Sequence, residues 1–268
     1  MTQHSGDGYL LDNRQSEAGE RFDAFASLFD ASTFRHFDTI GVTAGWRCWE
    51  VGAGGPSVVR GLAERVGPDG YVLATDIDTS WTRAATAPQV EVRRHDVVAD
   101  EPPPGPFDLV HARLVLVHVA DRERALRVLV DSLRPGGFLL IEDADPALQP
   151  LVCPDESGPQ QRLANKLKHG FRALLTERGA DLSYGRRLPR LLRGAGLTEV
   201  RADAYFPVTG PACAELERAT VEQVRDQLVA KGLATRAEIE SHLANVAEGG
   251  LDLATSPMIS AWGRKPGA

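Results

Sequence analysis

The sequence is short of several things that would narrow its function at once. Only three cysteines occur in 268 residues, Cys48, Cys153 and Cys213, far apart and without a Cys-x-x-Cys pair. That excludes a disulfide framework and a zinc ribbon, and it suits a reduced, cytoplasmic setting. Positive charge is in deficit: 30 Lys and Arg stand against 37 Asp and Glu, a net charge of −7. With no basic stripe to offset this, nucleic acid is not expected as a partner. No apolar run reaches the ~18–20 residues that cross a bilayer. Met1 to Gly8 lacks the basic and apolar regions of a signal peptide. No membrane partner is expected, and no internal repeat or low-complexity tract is present.

What is there suffices for one large core. Apolar residues make up 43% of the chain and charged ones 25%, which fits an α/β domain with a helical addition. From Tyr9 to Phe37 apolar residues recur at three- and four-residue spacing through Phe22, Phe25, Ala26, Leu28 and Phe29. This predicts a helix, placed to fold over strand ends as a lid. Strands are then expected at 46–51, 71–76, 89–94, 107–112 and 138–142, with helices at 56–66 and 121–133 between them. A short helix is expected after Asp78, and Arg134-Pro-Gly-Gly137 reads as a sharp stop ahead of the fifth strand. Further on, helices are expected at 160–178, 188–195, 211–231 and 235–248, and strands at 200–206 and 257–263. The predicted fold class is α/β, a doubly wound, mostly parallel seven-stranded sheet with an N-terminal lid helix and a helical insertion before the last strand. The domains follow: 1–45 lid, 46–206 core, 207–250 helical insertion capping the substrate, 251–268 final strand and tail of the core.

Chemistry concentrates in Trp46 to Arg60 and its sequel Tyr71 to Asp78. A short apolar run ends in Gly52-Ala-Gly54-Gly55, a helical segment follows, and a second run ends in an acid. Glycines there permit a tight turn and close approach of a ligand to the backbone. Asp76 follows Gly54 by 22 residues, near the ~20 expected of a carboxylate that accepts from a ribose hydroxyl. The pattern departs from the dinucleotide fingerprint: Pro56 and Val58 stand where a third glycine would be sought. Glu50, just before the turn, favours a ligand that carries positive charge, or at least no phosphate.

Glu50-Val-Gly-Ala-Gly-Gly resembles the first motif of class I S-adenosylmethionine-dependent methyltransferases. Ala74-Thr-Asp-Ile-Asp78 resembles their second-strand acid, and His95-Asp-Val97 the loop after the third strand. Phe107 to Arg113 resembles the fourth strand, and Leu133 to Glu142 the fifth-strand block. The five motifs run in the family's order across residues 46–143, and small-molecule enzymes of the ubiquinone and menaquinone biosynthesis type are the most similar subgroup. The resemblance implies methyl transfer from S-adenosylmethionine to a small organic acceptor, leaving S-adenosylhomocysteine. It implies that Gly52 and Gly54 pass beneath the methionine portion and that Asp76 accepts from the ribose. Ile77 and Val97 would flank the adenine, and Asp96 would bind its amino group. His111, Ala112 and Arg113 would line the methionyl end, and Glu50 is counted with the cofactor-binding residues. Tyr9 and Arg14, in the segment that often closes this end, are candidates for the cofactor carboxylate. Each acid also has a plainer reading: Asp76 as a helix cap, Asp96 as a turn residue, Asp78 as a capping or solvated acid.

Displacement at a sulfonium needs alignment above all, and a base only where the acceptor must lose a proton. His118 and Asp143 are the candidates, with Glu142, His169 and Tyr184 behind them; a histidine packed on the sheet and a simple loop acid are the alternatives. Neither the chemistry nor the spacing of His, Cys, Asp and Glu calls for a metal. An aromatic or polyketide-like acceptor in a closed pocket is expected, in a monomer or homodimer. A non-methylating cyclisation or rearrangement with the cofactor bound is the alternative.

Overall fold

The computed structural model describes residues 16–267, so Tyr9 and Arg14 lie outside the described residues. By their contacts these residues form two compact units. One, the sheet unit, comprises Phe29–Ala144, Tyr184–Tyr205 and the chain from Met258 on. The other, the helical unit, takes in the described chain up to Leu28, Asp145–Ser183 and Phe206–Pro257.

The sheet unit holds seven strands: β1 (Arg47–Val51), β2 (Tyr71–Asp76), β3 (Val90–Arg94), β4 (Phe107–Arg113), β5 (Leu133–Ala144), β6 (Thr198–Tyr205) and β7 (Met258–Arg264). Their order is β3-β2-β1-β4-β5-β7-β6. The first five pair in parallel, and β7 runs antiparallel between β5 and β6. This is the doubly wound, mostly parallel sheet that the alternation of elements predicts. Strand order reverses between β1 and β4, which puts the ligand crevice of such a sheet at their carboxyl ends.

Side-chain alternation sorts the strands into two apolar faces. Trp49, Val51, Leu73, Val110, Leu139 and Ile141 meet Ala125 and Leu129 of α3 (Arg122–Asp131) and Leu188 and Leu192 of α5 (Leu188–Gly194) on one side. Cys48, Val72, Ala74, Leu109, Leu140 and Trp262 meet α2 (Ser57–Val66) on the other, through Val58, Val59 and Leu62. Phe37 and Ile40, near the end of α1 (Ser16–Ile40), join this second face. That half of α1 therefore packs on the sheet surface itself.

The helical unit contains α4 (Pro159–Glu177), α6 (Pro211–Ala230) and α7 (Arg236–Glu248). Leu167 and Leu174 of α4 pack with Val221, Val224 and Leu228 of α6 and Ile239 of α7. Thr235 and Glu238 close a reciprocal capping box at the start of α7. Arg21 donates to Gln223 within the same unit. The two helices expected before the last strand, at 211–231 and 235–248, are present, and Asp145–Ser183 belongs to the same unit as they do.

Two local features differ from the sequence reading. Arg134-Pro-Gly-Gly137 lies inside β5 as an irregularity: Phe107 pairs with Leu133 and Leu109 with Phe138. Gly136 takes φ +75°, and a Cβ on Gly137 would meet the Phe107 carbonyl at 2.9 Å, so these glycines let β4 and β5 pair on both sides of a bulge. After Asp78 there is a single 3₁₀ turn, Thr82–Ala84. The Asp78 carboxylate accepts from the Ser80 amide at 2.9 Å, an Asx turn that competes with helix initiation.

Candidate active site

The glycine turn and the second-strand acid are joined directly. Gly52 and Gly54 adopt φ +62° and +55°, left-handed conformations that glycine takes without steric cost. The Gly54 amide donates to Asp76 Oδ2 at 2.9 Å, and the Asp78 amide to Asp76 Oδ1 at 2.9 Å. Burial raises the Asp76 pKa, and these amides oppose the rise. Each oxygen of the carboxylate keeps a lone pair beyond the bond it accepts. Ile77 beside it is half-exposed, at 49%. Thr82 Oγ1 donates to the Gly54 carbonyl at 2.7 Å and fixes the turn from below.

The loop after β3 is held locally. Asp96 Oδ1 accepts from the amides of Val98 and Ala99 at 2.9 and 3.2 Å, the geometry of a turn cap. Val97 is buried in the core, and the His95 amide donates to the Asp76 carbonyl at 2.9 Å.

Glu50 and His111 occupy paired positions on β1 and β4, and both side chains are buried. His111 Nδ1 lies 2.5 Å from Glu50 Oε2, and its Nε2 lies 3.3 Å from Glu142 Oε2. Glu142 also accepts from Thr33 Oγ1 at 2.5 Å and Ser260 Oγ at 2.7 Å. His36 bridges onward, with Nδ1 2.9 Å from Glu142 Oε1 and Nε2 3.0 Å from Asp203 Oδ1. Ser260 pairs in register with Glu142 on one side and Asp203 on the other. A polar row thus crosses β1, β4, β5, β7 and β6, and Thr33 and His36 of α1 lie on it. At its edge Arg113 donates to Asp30 at 2.9 Å and Thr33 at 3.1 Å.

The electrostatics of the row follow from who pairs with whom. Burial alone would lower the His111 pKa, but Glu50 and Glu142 outweigh it and hold the imidazolium, with a pKa of about 9. Burial pushes Glu142 up, and hydrogen bonds from His111 and His36 with the charges of His111 and Arg113 carry it well below the usual carboxylate range. Glu50 is raised by burial, which His111 only partly offsets. Among the sequence candidates, then, Glu50, His111 and Glu142 are brought together, while Asp76, Ile77 and the glycines form a second group.

The remaining candidates fall elsewhere. His118 closes a turn after β4 through its amide, which donates to the Val115 carbonyl at 3.0 Å. Asp143 is fully buried on the face opposite Glu142, near Tyr184. His169 is exposed on α4, its Nδ1 2.7 Å from the Asn165 carbonyl. Reading the sequence missed Thr33, His36, Asp203 and Ser260. Thr33, His36 and Ile40 lie three and four residues apart, a polar stretch of a helix stripe that is otherwise apolar, and that was the available signal.

Residues 49–139 match a family model described as a methyltransferase domain. A protein called methyltransferase str2 from Strobilurus tenacellus is 35% identical over 168 residues, 59% of this chain and 56% of that protein. The ubiquinone/menaquinone biosynthesis C-methyltransferase UbiE of Hahella chejuensis is 26% identical over 159 residues, 52% of this chain and 64% of that one. The chain spans between half and two thirds of the length of these relatives. Among solved structures, phosphoethanolamine N-methyltransferase 2 of Haemonchus contortus, in complex with phosphomonomethylethanolamine and S-adenosylhomocysteine, superposes with a TM-score of 0.60 at 17% identity. The match covers 99% of this chain and 61% of that one. The fold is that of the Rossmann-like methyltransferases, and the resemblance to class I S-adenosylmethionine-dependent enzymes drawn from the five motifs stands.

Proposed function

We propose that the protein transfers a methyl group from S-adenosylmethionine to a small organic acceptor. The observation that carries this reading is the Asp76 carboxylate, tied to the glycine turn by the Gly54 amide at 2.9 Å and retaining acceptor capacity on both oxygens. The surroundings fit a nucleoside. Backbone with φ above zero at Gly52 and Gly54 carries no Cβ, with Val115 packed against Gly52, and half-exposed Ile77 offers an apolar surface for a planar base. The similarity of residues 49–139 to a methyltransferase domain supports the same cofactor.

In this reading Asp76 accepts from the ribose hydroxyls, Ile77 packs on the adenine, and Gly52 and Gly54 underlie the methionine portion. When bound, the cofactor supplies an electrophilic methyl on a sulfonium. The chain's part is to hold the acceptor in line with it and exclude water, where orientation can contribute several kcal/mol, up to about 7–11 in favourable cases. Glu50 and Glu142 flank the single imidazolium of His111 behind the turn, so this buried group has no excess positive charge to offer a phosphate. His118 is the residue we assign to proton removal, with its ring on the turn that follows β4. Acceptor choice is assigned to the helical unit, and an aromatic or polyketide-like acceptor is consistent with similarity to a ubiquinone/menaquinone biosynthesis enzyme.

Calorimetric titration with S-adenosylmethionine and S-adenosylhomocysteine tests the cofactor. Saturable binding of both is expected, and a folded protein that binds neither would sink the proposal. Formation of S-adenosylhomocysteine with a panel of phenols, quinols and polyketides then tests the acceptor class.

A further inference from the structure

Asp143, at the end of β5, is fully buried, and neither carboxylate oxygen has a hydrogen-bond partner among the described residues. A buried carboxyl left unpaired is costly, and each such group asks for an explanation. Its neighbour Glu142 faces the other way and is met by four side chains; Asp143 is met by none in hydrogen-bonding geometry.

The groups that face it are few. Burial pushes its pKa up to about 8, against the pull of the backbone amides of Val115, Leu116 and Val117 and of Arg122. The three amides come close without completing hydrogen bonds. Tyr184, just ahead of α5, feels the charge of Asp143, and burial raises its own pKa further still. The guanidiniums of Arg122 and Arg187 lie 5.8 Å from the Tyr184 ring centre. β7 contributes only apolar Ile259 as the pairing partner. The 115–118 turn carries one titratable side chain, His118.

That turn also touches the glycine turn. It begins with Leu114 at φ +59°, a left-handed conformation that a leucine seldom adopts. Val115 then lies against Gly52, so closely that a Cβ there would stand 2.3 Å from Val115 Cγ2. Because the sheet runs β1-β4-β5, the turn after β4 stands between the glycine turn after β1 and Asp143 on β5. A pull toward β5 is a pull away from Gly52.

We infer that Asp143 is a positioning residue for the cofactor site, acting through the 115–117 turn. As a carboxylate, its proton given up to solvent, it completes hydrogen bonds from the three amides and draws Val115 off Gly52. As a neutral acid it releases the amides, and Val115 settles on the glycine turn where the cofactor's methionine portion would lie. This rests on the S-adenosylmethionine reading above.

The test is calorimetric titration of S-adenosylhomocysteine into the 268-residue chain from about pH 6.5 to about pH 9.5. Wild-type affinity is expected to rise roughly tenfold across that range, with a midpoint near the pKa of about 8. Asp143→Asn should lose that rise and stay at the weak limit, and Val115→Ala should lose it and stay at the strong limit. The ligand's own amino group and His111 titrate in all three proteins, so the readout is the difference between profiles. Parallel profiles in wild type and Asp143→Asn would overturn the inference. Should Asp143→Asn fail to fold, a Val115→Ala profile that keeps the wild-type slope overturns it equally. Binding that ignores pH removes this inference alone, whereas no binding at any pH removes the cofactor reading and this inference with it.

Discussion

His111 Nδ1 sits 2.5 Å from Glu50 Oε2, and both side chains are buried between the sheet and its covering helices. Glu50 immediately precedes the glycine turn in sequence, separated from Gly52 only by Val51. The imidazolium therefore links the glycine turn to the row that holds the second half of α1 on the sheet. Taking out one member leaves a buried charge behind, which typically costs about 3–5 kcal/mol. Glu142→Gln is expected to destabilise by about that amount, since it removes the carboxylate charge that His111 and His36 share and leaves only one of its two acceptor oxygens. Urea unfolding measures it, and adding His111→Gln should cost much less on that background than alone. Additive losses would show that the row does not act as one unit.

The row also sets a pH dependence whose sign can be worked out. His111 is raised from 6.5 to about 9 in the folded protein. Its contribution to stability is present in full below about pH 6.5 and is lost as pH rises through about 9. Asp143 adds to the same trend. Raised from 3.8 to about 8, it favours the folded state most below its unfolded pKa, and that advantage is gone above about pH 8. Glu142, held low, works at the other end, and its contribution disappears as pH falls below the usual carboxylate range. Melting temperature should fall from pH 6.5 toward 9.5, and less steeply in Asp143→Asn. A wild-type melting temperature that holds or climbs over this interval would contradict the assignment.

The strands and the glycine turn were legible because each is written in a short window. Apolar runs bounded by turn residues give β1 to β4, and Gly52 and Gly54 announce left-handed backbone. Residues set by pairing across the sheet were not legible. Ser260 and Asp203 meet Glu142 only because β7 runs antiparallel between β5 and β6, and no local pattern records that. Asp143 reads as a candidate base or a simple loop acid because a single sequence does not show that the 115–117 turn folds over it. The Pro-Gly-Gly of residues 135–137 looked like an end to structure, since its bulge depends on the neighbouring strand.

Asp76 should govern cofactor affinity. Replacing it by alanine removes a charge-assisted acceptor worth about 1.5–3 kcal/mol, or roughly 10- to 100-fold in the dissociation constant for S-adenosylhomocysteine. The Gly54 amide loses its partner as well, at 2.9 Å in the wild type. A smaller loss of stability, about 1 kcal/mol, should accompany the change. Titration of the variant below its melting temperature separates the two effects, and an unchanged dissociation constant would reject Asp76 as the ribose acceptor.

Gly52 offers a test of the turn that needs no ligand. An alanine there meets two separate penalties. The first is intrinsic: φ +62° places a Cβ against its own carbonyl, costing roughly 1–2 kcal/mol. The second comes from Val115, whose Cγ2 would lie 2.3 Å from the new methyl. Trimming Val115 to alanine removes the second penalty and leaves the first. The double variant Gly52→Ala/Val115→Ala should therefore recover part of the stability lost in Gly52→Ala, and no more. Thermal melts of the four proteins of this cycle measure the coupling directly. Zero coupling would mean that Val115 does not rest on the glycine turn in solution. Complete recovery would mean that the left-handed backbone there costs nothing.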